Sequence, residues 1–182
     1  MNEAGRSAAP LLATARLYLR PFATADADQL HRLFLDASVR RYLLDDELVS
    51  AQWVADEIDG SDALFAERGV GLWSIVLIGE TDVIGFAGFR FFHDPPELQL
   101  IYGLHPRHWG VGLATEAAWA IIEHAFARAG LDEIVASADT PNVASIEVMK
   151  RLGMSFHRRL EKGGLDTTYY RLRRGEFPPR QS

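Results

Sequence analysis

The chain has 182 residues, 48% of them hydrophobic and 24% charged, enough for one domain with a substantial core. Its formal net charge of −6 argues against general affinity for nucleic acid or an anionic membrane, so an anionic ligand needs local donors. The absence of cysteine excludes disulfides, thiolate metal sites and a cysteine nucleophile.

No segment approaches the roughly 20 consecutive apolar residues of a membrane span. The N-terminus carries Glu3 and no compact apolar run, which makes a poor signal peptide, so a cytoplasmic location is expected. Residues 1–15 are rich in small side chains and are expected to be a flexible segment, 16–174 a single domain, and 175–182 a tail.

RLYLRPF (16–22) alternates and stops at Pro21, which predicts a first strand. Residues 25–37 place Leu30, Leu33, Phe34 and Ala37 at helical spacing, and Ser50 is a plausible cap for a second helix beginning at Ala51. Three strands are expected at 72–78, 83–91 and 97–104. Turn chemistry at 79–82 and at Asp94-Pro95-Pro96 makes them an antiparallel meander. A helix over 111–129 stops at Gly130, with Ala114, Ala118, Ile121, Ala125 and Phe126 on one side. A strand at 133–138, a helix at 142–152 closed by Gly153, and a strand pair at 155–161 and 167–173 around Gly163-Gly164 complete the order β-α-α-β-β-β-α-β-α-β-β. That order predicts a mixed α/β domain, a mostly antiparallel twisted sheet flanked by about four helices.

RHWGVGLATEA (107–117) is the most informative stretch. Gly110 and Gly112 let the backbone bend so that successive N–H groups point inward. The helix that follows adds unpaired N–H donors and a partial positive charge of about half a unit. A strand, a glycine turn and a helix N-terminus together form a phosphate cradle.

Three stretches in order resemble the GNAT superfamily of acyl-CoA N-acyltransferases, most closely the branch of the ribosomal-protein alanine acetyltransferases RimJ and RimL. LYLRPFATADADQL is similar to that branch's opening strand and helix. RHWGVGLATEA fits the acyl-CoA loop Gln/Arg-x-x-Gly-x-Gly/Ala through Arg107, Gly110 and Gly112, with Trp109 as the branch often has it. NVASIEVMKRLGM fits the later helix through Asn142, Ser145, Lys150 and Gly153. The resemblance implies a GNAT-like sheet with two strands splayed at a bulge, acetyl-CoA as cosubstrate, no metal, and in many members a homodimer. It places N–H donors to the pyrophosphate from His108 through Trp109, Gly110, Val111, Gly112 and Leu113 to Ala114, with Thr115 beside them and Arg107 leaning on phosphate. Backbone groups of Ile101, Tyr102 and Leu104 would serve the pantetheine arm, and Asn142 would bond it from the other side.

Without cysteine, direct attack by a bound amine is the simplest route for acyl transfer. A backbone N–H of Tyr102 or Leu104 is the candidate for the oxyanion. Many members of the superfamily protonate the leaving thiolate with a tyrosine at the position of Met149. In the RimL-like branch the serine matching Ser145 is the donor, although a first-turn serine bonding backbone is an equal reading. The branch often has a glutamate base near Gln99. Here Glu97, on the same strand face, and His93 are the candidates, against a plain exposed strand-end carboxylate.

The remaining signals read as structure. Trp53 and Trp73 fit a core or cleft wall, His31, His124 and His157 fit element surfaces, and Lys150-Arg151 a solvated helix end. The expected function is acetyl transfer from acetyl-CoA to a primary amine, either a protein N-terminal α-amine or a small molecule. Acceptor choice would lie in 40–50, 94–96 and the last hairpin. A catalytically weak acyl-CoA-binding sensor and a nucleotide-binding protein remain the alternatives.

Overall fold

The computed structural model describes residues 10–92, 95–162 and 164–178. Within them the chain forms eight strands in one sheet and five helices. The strands are β1 (Leu12–Ala13), β2 (Leu17–Pro21), β3 (Leu72–Leu77), β4 (Val83–Phe92), β5 (Glu97–Leu104), β6 (Glu133–Asp139), β7 (Ser155–Lys162) and β8 (Leu165–Arg173). The helices are α1 (Ala27–Leu35), α2 (Ala37–Leu43), α3 (Ala51–Arg68), α4 (Leu113–Ala127) and α5 (Val143–Arg151). Element types follow the sequence reading, with two additions and one extension.

The helix expected over 25–37 is two helices. Asp36 leaves helical geometry (φ −61°, ψ 124°), and its side chain accepts from the N–H groups of Ser38 and Val39, so it ends α1 and caps α2. Ser50 caps α3 as expected, accepting from Trp53 N–H, and α3 then runs on to Gly69. The segment expected to be flexible contributes β1, which pairs with β2, and the Pro10 carbonyl accepts from the buried Trp73 indole at 2.8 Å. At the other end Phe177 stacks on Trp119 and Phe126. Packing thus reaches beyond both expected domain boundaries.

The strand order is β1-β2-β3-β4-β5-β6-β8-β7, antiparallel except for β5 beside β6. Those two parallel strands share one registered pair, Gln99 with Val135. Beyond it they diverge. The splay expected from the resemblance is present, but β5 runs in unbroken register against β4 from Glu97 to Leu104. Register shifts lie instead at Ile75/Val76, between β3 and β4, and at Phe156/Arg158, between β7 and β8.

Alternation along the strands gives the sheet two faces. Leu100, Leu104, Ile134, Ala136 and Ala138 pack with α4 through Ala117, Ile121 and Phe126, and with Met149 of α5. Ile101 and Phe86 pack on the opposite face with Leu30, Leu33 and Phe34 of α1, Val39 of α2 and Val54 of α3. Met149 is fully buried in the first of these cores.

Candidate active site

A cavity of about 520 Å³ opens where β5 and β6 part. Its walls include Thr115 of α4, Ser145 and Arg151 of α5, and Ser38, Val39, Tyr42 and Leu43 of α2. Because α2 lies on one side of the sheet and α4 and α5 on the other, the cavity passes through the sheet. Two ligands entering from opposite sides can meet within it.

One entrance is the glycine loop. A 3-10 turn at Pro106–His108 spends the N–H groups of His108 and Trp109 on the carbonyls of His105 and Pro106. From Gly110 to Thr115, by contrast, no backbone N–H has an acceptor among the described residues. The free run therefore starts two residues later than expected. Gly110 (φ +76°) and Gly112 (φ +82°) hold left-handed geometry, and Gly112 starts α4 without a side-chain cap, so the donors stay open. The Thr115 hydroxyl is also buried without a partner among the described residues.

The loop is anchored from below. Glu116, in the first turn of α4, accepts from the Thr14 hydroxyl and from the Arg16 backbone and guanidinium, while Arg16 Nη1 donates to the Val111 carbonyl at 3.0 Å. Burial pulls the Glu116 pKa up, but these hydrogen bonds outweigh it and the carboxyl sits below the usual value. His108 lines the cavity, and burial, followed by the charge of Arg107 and by His105, lowers its pKa and so favours the neutral ring. Arg107 is exposed and does not line the cavity; nor does the exposed Val111. The indole of Trp109, 52% exposed, donates to the Leu104 carbonyl at 2.6 Å.

Strand geometry decides which peptide groups face the slot. His105 N–H donates to the Ile84 carbonyl, so odd-numbered residues of β5 turn their peptide groups toward β4 and even-numbered ones toward β6. The N–H groups of Tyr102 and Leu104 therefore reach the slot, where β6 offers no partner. Ile101 cannot serve a ligand through its backbone, which pairs with β4. It contributes only its side chain to the cavity wall.

On the α5 side, Asn142 caps the helix through Oδ1, accepting from Ser145 N–H at 3.2 Å, and lines the cavity. The Tyr102 hydroxyl donates to the Ser145 carbonyl at 2.9 Å, and the Ser145 hydroxyl donates to the Tyr102 oxygen at 3.3 Å. Burial raises the Tyr102 pKa more than the bond with Ser145 lowers it, so the phenol keeps its proton.

Glu97 lies elsewhere. Both its oxygens accept from Arg158 Nη2, at 3.0 and 2.9 Å, one also accepts from Gln99, and it does not line the cavity. An ion-paired carboxylate outside the slot does not fit the base proposed from sequence. His93, the other candidate, falls outside the described residues. Sequence reasoning missed the α2 wall and Ser137 of β6. The Asp36-Ala37-Ser38 cap signal could have revealed α2, whereas nothing local marks Ser137.

The family description "Acetyltransferase (GNAT) domain" matches residues 16–155, which span the loop, both parted strands and α5. The chain belongs to the GNAT acetyltransferase family. GNAT acetyltransferases use acetyl-CoA, and the open amide run suits its pyrophosphate.

Among curated relatives, the uncharacterised N-acetyltransferase p20 of Bacillus licheniformis is 30% identical over 142 residues, covering 78% of this chain and 80% of that protein. Spermidine N(1)-acetyltransferase of Escherichia coli K12 is 27% identical over 143 residues, covering 78% and 74%. Among solved structures, RimL, a ribosomal L7/L12 α-N-protein acetyltransferase in complex with coenzyme A, superposes with a TM-score of 0.76 at 18% identity. That match covers 90% of this chain and 98% of RimL, and it shows the shared fold.

Proposed function

We propose that this chain is an N-acetyltransferase that moves the acetyl group of acetyl-CoA to a primary amine by direct attack in a ternary complex. The cavity at the parted strands carries this reading: its walls run from the amide cradle at the start of α4 to α2 on the other face of the sheet. The amides from Gly110 to Thr115 hold the diphosphate, and the Tyr102 and Leu104 N–H groups lie along the acyl-bearing arm. One of those N–H groups also receives the oxyanion when the amine adds.

As the new N–C bond forms and the C–S bond breaks, the Ser145 hydroxyl gives the thiolate its proton. To do so it turns from the Tyr102 oxygen, to which it otherwise donates, while the Tyr102 phenol keeps its own proton on the Ser145 carbonyl and holds the serine in place. The proton lost by the amine leaves to solvent, and solvent returns one to the serine.

The RimJ/RimL-like motifs favour a protein N-terminal α-amine, and the spermidine relative favours a small polycation. Asp45 and Asp139 interact electrostatically. Burial raises the Asp139 pKa, and Asp45 and Asp166 add to the shift.

Thiol release from acetyl-CoA, measured with a panel of N-terminal peptides and small amines, tests the reading. Acceptor-dependent release is expected. Tight acetyl-CoA binding with no release on any acceptor would sink it in favour of a sensor.

A further inference from the structure

A chain of hydrogen bonds on the acceptor side of the sheet has a fixed direction. Glu97, as a carboxylate paired with Arg158, only accepts, so the Gln99 side chain turns its NH2 group toward Glu97, with Nε2 to Oε2 at 2.7 Å. That orientation aims the Gln99 carbonyl at Ser137, whose hydroxyl donates to it at 2.6 Å. Gln99 is 1% exposed, so water does not compete for these positions. The single Ser137 proton is thus committed inward, and the hydroxyl offers the cavity lone pairs only.

The side of the sheet matters equally. Gln99 and Ser137 alternate with Leu100, Ala136 and Ala138, which pack with α4, so both face the side covered by α1–α3. The phosphate cradle and the Tyr102–Ser145 pair lie on the opposite side.

Resting on the acetyltransferase reading, we propose that Ser137 receives and orients the acceptor amine. Its oxygen accepts one N–H of the amine and so turns the nitrogen lone pair toward the thioester carbonyl. Gln99 and Glu97 are positioning residues that keep the serine proton out of the slot. Ser137 takes no proton, because its own is already donated.

Steady-state kinetics of Ser137→Ala and Ser137→Thr, on any amine the wild type acetylates, provide the test. For Ser137→Ala, KM for the amine should rise about tenfold, the scale of one lost hydrogen bond, with KM for acetyl-CoA unchanged, and Tm should fall because the buried Gln99 carbonyl loses its donor. Ser137→Thr, which keeps the hydroxyl, should restore most of the affinity. Glu97→Gln, which frees the Gln99 amide to reverse, should raise KM for the amine in the same direction. Equal amine KM for wild type and Ser137→Ala overturns the Ser137 assignment alone. A wild type that binds acetyl-CoA yet acetylates no amine overturns the function beneath it, and this assignment with it.

Discussion

Tyr102 and Ser145 reach each other from β5 and α5, and each hydroxyl is held by the other residue. Both line the cavity, and the phenol keeps its proton on the Ser145 carbonyl, so on the proposed mechanism the serine is the donor to the thiolate. Ser145→Ala should therefore lower kcat by about a hundredfold, the low end of what a general acid contributes. The dissociation constant for acetyl-CoA should hold. Unchanged turnover in the presence of saturating amine would refute the assignment. Met149, at the position where many relatives place a tyrosine, is packed into the core and has no part in this chemistry. Residue identity alone showed that Met149 cannot donate a proton and named Ser145 as a candidate; the hydrogen-bond directions come from the fold.

The glycine loop works as an element because α4 begins bare and the turn between β1 and β2 is tied to its first turn. The Thr14–Arg16–Glu116 cluster fixes the loop from a segment about 100 positions earlier in the chain. Since the folded pKa of Glu116 lies below its unfolded value of about 4.3, its contribution to stability is complete above that value. It is lost as pH falls through the lower folded pKa. Calorimetry between pH 6 and 3 should show the Tm of wild type falling more steeply than that of Glu116→Gln, while parallel curves would count against the anchor.

The α1/α2 break shows the limit of periodicity. Apolar spacing ran smoothly to Ala37, but Asp36 satisfies the N–H groups of Ser38 and Val39 and turns the chain, carrying α2 over the slot.

Across the molecule, β1–β5 and β6–β8 meet in the sheet at a single registered pair, with helices bridging the rest. A ligand filling the slot contacts both halves and binds only the folded state. Acetyl-CoA at a hundred times its dissociation constant should add about 2.7 kcal/mol, raising Tm by roughly 5–11 °C. ATP has a phosphate chain for the loop but no arm to lie along β5, so its shift should be much smaller. Equal protection by the two would favour a nucleotide-binding protein over an acetyltransferase.

Local chemistry determined a great deal. Alternation, caps and turn residues set nearly every element, and the spacing of Gly110 and Gly112 before a helix marked the anion cradle, because each of these acts over a few residues. Only tertiary structure decided where the sheet parts and which peptide edge faces the gap. It likewise made Glu97 a partner of Arg158, 61 positions away, and lodged Ser137 opposite Gln99. Those outcomes depend on strand register and on which helix covers which face, quantities set by the packing of the whole core.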